Sequence, residues 1–225
     1  MKILMVLSSC DQVPGSDRKT GSWLDEVAGP YYTFIEAGAE VVLASVQGGL
    51  APVDPASEAD FAQTDATRRF SADPLAQHAL ANTAVLSTLQ WSDYDAVFYS
   101  GGLGPVFDLT SDQTSIDLIE RMSAAQRPVA AVCHGVAVLR GTVRADGRPL
   151  IDGRAVTGFS NSEEVAAHGT GVVPFVIEDE MRRLGGIYTS ATDWNPHVVV
   201  DDRLITGQNP ASSVPAAQRV LEMLR

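Results

Sequence analysis

The segment Pro128 to Leu139, PVAAVCHGVAVL, runs an apolar strand straight into Cys133, His134 and Gly135 and continues as an apolar helix. Such a turn places one side chain at the carboxyl end of a sheet, the edge where open parallel sheets bind ligands. The same device presents the serine of α/β-hydrolases, with a small residue after the nucleophile to allow the sharp bend. A thiol there would stand at a helix amino terminus, whose partial positive charge favours thiolate, and the adjacent imidazole would favour it further or shuttle protons. The chemistry suggested is nucleophilic attack by sulfur. An inert core thiol is the competing reading, because free cysteine is among the most buried residue types.

Two further groups belong to the same edge. Ser100-Gly101-Gly102-Leu103-Gly104-Pro105 also follows a strand directly. Glycines there let backbone N–H groups approach a ligand, which suits an oxyanion hole, although a turn chosen only for its shape would read the same. Glu26 lies near the start of the first long helix, where an acid often serves the helix dipole alone. Cys10, His78, His168 and His197 stand without recognisable partners.

The elements that must position these residues follow from periodicity. Lys2 to Ser8 is a β-rich apolar run feeding a polar loop. Trp23 to Ala37 carries Trp23, Val27, Tyr31, Phe34 and Ile35 on one helical face and is closed by Gly38. Glu40 to Ser45 is the next buried strand, so the chain opens strand, helix, strand, the unit of a parallel sheet. Roughly fifty residues then separate this strand from Ala96 to Ser100, too long for a plain loop, and a small helical cap insertion is expected over about 46–95. A helix from Thr114 to Ala125 and a strand from Pro128 to Val132 lead to Cys133. Arg154 to Thr157, Val198 to Val200 and Leu204 to Thr206 read as strands, and Phe175 to Leu184 and Ser213 to Leu224 as helices. The expected fold is a doubly wound, flavodoxin-like α/β sheet, mostly parallel and sandwiched by helices, in a single domain over 1–225.

Composition narrows the partners. The chain has 225 residues, 45% hydrophobic and 20% charged, with 28 acidic against 16 basic residues and a formal charge of -12. That length buries a packed core without metal or disulfide support. The charge makes nucleic acid and anionic membrane poor partners. Only Cys10 and Cys133 occur, without the spacing of a zinc site, which points to a reducing compartment, the cytoplasm. Leu7-Ser8-Ser9-Cys10 could pass for a lipoprotein cleavage box, but the apolar run Ile3 to Leu7 is shorter than the roughly seven to fifteen residues a signal peptide uses.

Together these residues resemble the ThiJ/PfpI superfamily, of class I glutamine amidotransferase-like fold, and in particular its branch of glyoxalase III and heat-shock chaperones. The resemblance rests on Thr20-Gly21-Ser22-Trp23-Leu24 with Glu26, Pro30-Tyr31, Gly48-Gly49, Pro52-Val53-Asp54-Pro55, Gly101 to Gly104, Ala131 to Gly135 and Val156 to Phe159. Asp202 through Ser212, DRLITGQNPAS, completes it. It implies a nucleophilic Cys133, a proton-transferring His134, a glutamate near the thiol at Glu26, and an acid orienting the imidazole at Glu164, with Glu163 adjacent. The amides of Gly102 and His134 match the family's oxyanion hole, with Leu103 and Gly104 completing the substrate-binding turn. No metal or organic cofactor is implied. Two departures stand out: the turn that usually reads GGHG reads GGLG, with Leu103 in place of histidine, and Asn161 occupies a position where the branch tends to carry aspartate.

The resemblance implies glutathione-independent conversion of methylglyoxal or a similar 2-oxoaldehyde to the 2-hydroxy acid, in a homodimer. Thiolate Cys133 adds to the aldehyde, Glu26 or His134 moves a proton between the two carbons, and water releases the thioester. A cysteine hydrolase, amidase or isocyanide hydratase is the alternative enzyme, since a fold does not select among reactions of one thiol; a holdase chaperone or stress protein is the alternative of another class. A carboxylate beside a thiolate raises both pKa values, so Cys133 and Glu26 are expected to share one proton, with Glu26 as its holder.

Overall fold

The computed structural model describes residues 1–225. Strands β1 (Lys2–Leu7) and β2 (Glu40–Ser45) flank helix α1 (Leu24–Glu36). Helices α2 (Asp65–Ala72) and α3 (Pro74–Ala81) precede the short β3 (Ala84–Val85) and then β4 (Ala96–Tyr99). After β4 come α4 (Gly104–Phe107), α5 (Gln113–Ala124) and β5 (Val129–Val132). Strand β6 (Ala155–Val156), α6 (Asn161–Ala166), α7 (Ile177–Arg183) and β7 (Ile187–Tyr188) follow, and β8 (Val198–Asp201), β9 (Leu204–Gly207) and α8 (Ser213–Met223) close the chain.

Seven strands form one sheet in the order β3-β2-β1-β4-β5-β9-β8, parallel except for the β8–β9 pair. Both faces are buried, as a parallel sheet requires. Along β1, Ile3, Met5 and Leu7 face the layer of α1, α2, α3 and α8, with Val27, Phe34, Phe70 and Val220 among its side chains. Leu4 and Val6 face the layer that holds Ile119, Val136, Ile177 and Met181. No helix is long and apolar enough to cross a membrane.

Two expectations need correction and a third needs extension. The segment after Cys133 is a 3₁₀ helix, Cys133–Gly141, rather than an α-helix. Ala155–Val156 does not join the main sheet; it pairs with Ile187–Tyr188 in a separate two-stranded sheet, and the second of these strands was not anticipated. The stretch between β2 and β4 is helical as expected but is also built into the main fold. It contributes α2 and α3, whose Phe70, Ala76 and Leu80 pack in the same layer as α1, and an edge strand, β3.

Helix α1 keeps its course through Pro30. Proline has no N–H, so the carbonyl four residues earlier, that of Glu26, loses its helical donor. The Ser100 hydroxyl donates to that carbonyl at 3.0 Å from the end of β4. One buried hydrogen bond thus joins the helix carrying Glu26 to the strand before the glycine turn. Ser100→Ala removes the donor from a buried carbonyl and is expected to lower unfolding free energy by about 1–2 kcal/mol, measured by urea denaturation.

Candidate active site

The site is assembled from the ends of β4 and β5 and from helices α1 and α6. The chain leaves β5 at Cys133 with φ +56°, a left-handed conformation that is uncommon outside glycine and marks a strained elbow. Gly135 allows that bend: a Cβ there would come within 2.8 Å of the Ser100 carbonyl oxygen. The Gly102 backbone is at φ +95°, and a Cβ on it would stand 2.4 Å from the Gly21 oxygen. That packing is close because Trp23 N–H donates to the Gly101 carbonyl at 3.0 Å, tying the start of α1 to the glycine turn.

Cys133 and His134 are almost wholly buried, and Glu26 and Glu164 more completely still. The Cys133 Sγ lies 3.5 Å from His134 Nδ1, and His134 Nε2 is 2.8 Å from Glu164 Oε2. With Nε2–H donating to that carboxylate, a neutral ring turns its Nδ1 lone pair toward sulfur. The neighbouring Glu163 is engaged elsewhere. It accepts from the Ser160 N–H and hydroxyl, from the Trp194 N–H and from the Asn209 amide. Of the adjacent pair, Glu164 touches the imidazole.

Glu26 faces the thiol from the other side. Its Oε2 accepts from the Gly101 N–H at 2.8 Å, while its buried Oε1 has no hydrogen-bond partner. Burial pushes this carboxyl up to about 8, against the hydrogen bonds with Cys133 and Gly101 that pull it down. The thiol is also pushed up rather than made acidic, by burial first and then by the facing Glu26, with the His134 and Gly102 amides opposing. Protonating Glu26 abolishes its charge and turns its bond to sulfur into a donated one. What remains is burial, which keeps the thiol raised, opposed by two amides and an acid proton directed at sulfur. The sulfur's environment is therefore these local donors rather than an α-helix terminus.

These groups open into a cavity of about 550 Å³, lined also by Trp23, Phe61, Leu103, Phe159 and Trp194. Phe159 lies over the His134 ring, centroids 4.4 Å apart, and meets Trp194 edge-on at 5.9 Å. Periodicity did not point to Phe61, Phe159 or Trp194 as parts of the site, because a pocket wall is drawn from separate loops; Phe159 entered only through the motif Val156 to Phe159. Gly104 and Leu103 sit at the start of α4. Cys10 is apart from the site, its S–H donating to the Gln12 carbonyl. His197 bonds Thr189, and no group of three or more His, Cys, Asp or Glu side chains is arranged to hold a metal ion.

Comparison with known proteins agrees with the motif reading. A profile described as the DJ-1/PfpI family matches residues 24–223. The chain is 32% identical to the glutathione-independent glyoxalase HSP31 of Saccharomyces cerevisiae, covering 100% of this chain and 98% of that protein. It is 30% identical to glyoxalase 3 of Candida albicans, over 98% of this chain and 97% of the other. Among solved structures, the Rapid Encystment Protein 24 KDa of Francisella tularensis superposes with a TM-score of 0.95 at 34% identity, covering 100% and 99% of the two chains. Candida albicans glyoxalase III superposes with a TM-score of 0.89 at 28% identity, covering 99% and 96%.

The raised carboxyl makes a stability prediction. Between the ordinary value of 4.5 and about 8 the folded chain holds a proton on Glu26 that the unfolded chain has lost, so stability falls by about 1.4 kcal/mol per pH unit as pH rises through that window. Glu26→Gln removes this liability. Its unfolding free energy should exceed that of the parent by roughly 3 kcal/mol at pH 7, with the gap closing toward pH 5; denaturant titrations at both pH values check it.

Proposed function

The chain belongs to the DJ-1/PfpI family, and we propose that it is a cysteine-dependent, glutathione-independent glyoxalase, converting methylglyoxal or a related 2-oxoaldehyde to the 2-hydroxy acid. The observation that supports this most directly is the Cys133 sulfur on its strained elbow, met by the Gly102 and His134 amides and by a Glu26 carboxyl raised to about 8. A nucleophile, an oxyanion cradle and an acid that is protonated at neutral pH are the groups an internal redox isomerisation needs.

In the proposed sequence, the thiolate adds to the aldehyde carbon C1, and the new oxyanion, held by the two amides, takes the Glu26 proton. The carboxylate so formed removes hydrogen from C1. His134, oriented by Glu164, carries the hydroxyl proton from the C1 oxygen to the C2 oxygen through the enediol. Glu26 then returns its proton to C2, so C1 is oxidised to a thioester as C2 is reduced to an alcohol. Water adds its hydroxide to the thioester and its proton to Glu26, which releases the 2-hydroxy acid and restores the thiolate. All electrons and protons come from substrate and water.

Residues 46–95 serve in this reading as the pocket's cap, since Asp54, Ala56, Phe61 and Ala62 reach its lining. We also place the protein in the cytoplasm, where free thiols such as Cys10 and Cys133 persist. A homodimer is proposed, with exposed side chains such as Leu50, Leu75 and Ile187 offering apolar surface to a second copy. Light scattering should return twice the chain mass of 23.9 kDa.

The purified protein is expected to form lactate from methylglyoxal with neither glutathione nor added metal, followed by the loss of aldehyde and by product analysis. Cys133→Ala and Glu26→Gln should each lower kcat by about a thousandfold or more, and Glu164→Gln by roughly a hundredfold, since it leaves the imidazole present but unoriented. A strict requirement for glutathione, or normal turnover by Glu26→Gln, refutes this reading.

A further inference from the structure

The cavity beside Cys133 measures about 550 Å³, within the range of roughly 300 to 1,000 Å³ that encloses drug-sized ligands and several times what the smallest 2-oxoaldehydes fill. More than half of the lining residues are hydrophobic, with Arg18, Asp25, Asp54 and Asn209 among the polar ones. Leu103 adds an aliphatic wall, and Trp23, Phe61, Phe159 and Trp194 add aromatic surface. Two of the acids at the lining are already engaged: Asp25 accepts from the Thr64 hydroxyl, and Asp54 from the Thr20 hydroxyl and the Ala56 N–H.

Trp194 is held there at a cost. Its backbone is at φ +64°, an outlier for a bulky side chain, and its indole is 49% exposed. Its backbone N–H donates at 2.8 Å to Glu163, a wholly buried carboxylate anchored also by Ser160 and Asn209. Phe61, 81% exposed, stands at the same cavity. A strained tryptophan and an exposed phenylalanine are both unfavourable by themselves, and both become favourable contacts when an apolar ligand group covers them.

We propose that Trp194 is a specificity-determining residue of this pocket and that the preferred substrate is a 2-oxoaldehyde bearing an aryl or branched alkyl group rather than methyl. The inference rests on the glyoxalase reading of the Cys133 site. The indole and the Phe61 ring bind the substituent, while the aldehyde carbon reaches the sulfur.

The test compares kcat/KM for phenylglyoxal and methylglyoxal in the full chain and in Trp194→Ala, Trp194→Phe and Phe61→Ala. The parent should favour phenylglyoxal by tenfold or more. Trp194→Ala should lower that ratio about tenfold, chiefly through KM for the aryl substrate, because the lost contact is with the substituent and not the reacting carbons. Trp194→Phe should recover most of the ratio. Phe61→Ala, at a position too exposed to endanger the fold, should lower it severalfold, which keeps the test decisive if Trp194→Ala folds poorly. Turnover of both aldehydes with a parental ratio near one, or a ratio unmoved by Trp194→Ala and Phe61→Ala, overturns this inference and leaves the glyoxalase reading intact. Absence of turnover for both aldehydes in the parent overturns the glyoxalase reading, and this inference with it.

Discussion

The Glu26 carboxyl and the Cys133 thiol occupy one water-excluded volume, and two anions cannot be held there together. Burial alone raises both groups, and each in its charged form raises the other further. The pair therefore carries at least one proton at neutral pH, and when only one remains the surrounding structure decides where it rests. The Gly102 and His134 amides are directed at sulfur and only the Gly101 amide at the carboxylate. The local backbone thus favours charge on sulfur and the proton on oxygen. Much of the unusual backbone nearby serves that balance: the left-handed turns at Cys133 and Gly102 bring amides to the sulfur, and the Ser100 hydroxyl replaces the helical donor that Pro30 denies the Glu26 carbonyl.

Around this pair the two adjacent glutamates of α6 divide their tasks by helical geometry. Successive helix residues point about 100° apart, so Glu163 and Glu164 cannot face the same neighbour. Glu163 closes the capping box with Ser160 and reaches back to Trp194 and Asn209. Glu164 faces His134. One carboxylate orients the imidazole while the other knits together the loops that form the pocket wall, and Phe159, lying between the imidazole and Trp194, couples the two through ring packing.

Much of this was legible in the chain. β1, β2, β4 and β5 are short apolar runs ended by polar or glycine-rich turns, and strands buried on both faces write themselves in that form. Their ends therefore marked the Cys133 elbow and the Gly101 to Gly104 turn as neighbours. What stayed hidden was decided by contacts distant in sequence. Val136 to Leu139 is apolar enough for any buried helix, and no local signal separates a 3₁₀ path from an α path. Ile187-Tyr188 is too short to show period. α6 begins at a capping box that would have been readable from Ser160 and Glu163, but its six residues carry no apolar stripe. The left-handed Trp194 contradicts local preference and exists because Glu163, 31 residues away, fixes its N–H. The direction of the thiol's shift was also beyond a local reading, since it follows from complete burial rather than from a helix terminus.

Leu103 alters the electrostatics of this arrangement more than its size suggests. The backbone donors do not depend on it, because Gly102 and His134 contribute N–H groups whatever stands at 103. A leucine in the wall of the thiol's cavity, 7% exposed, supplies no donor or acceptor. In a drier site each amide acts more strongly on a developing oxyanion. The same dryness raises the cost of leaving any charge unpaired. Proton handling then falls on Glu26 and His134, the two titratable groups in contact with sulfur, and each is held by a buried partner, Gly101 for one and Glu164 for the other. An apolar side chain at the pocket wall thus leaves the chemistry to the floor, on groups whose geometry the sheet edge already fixes.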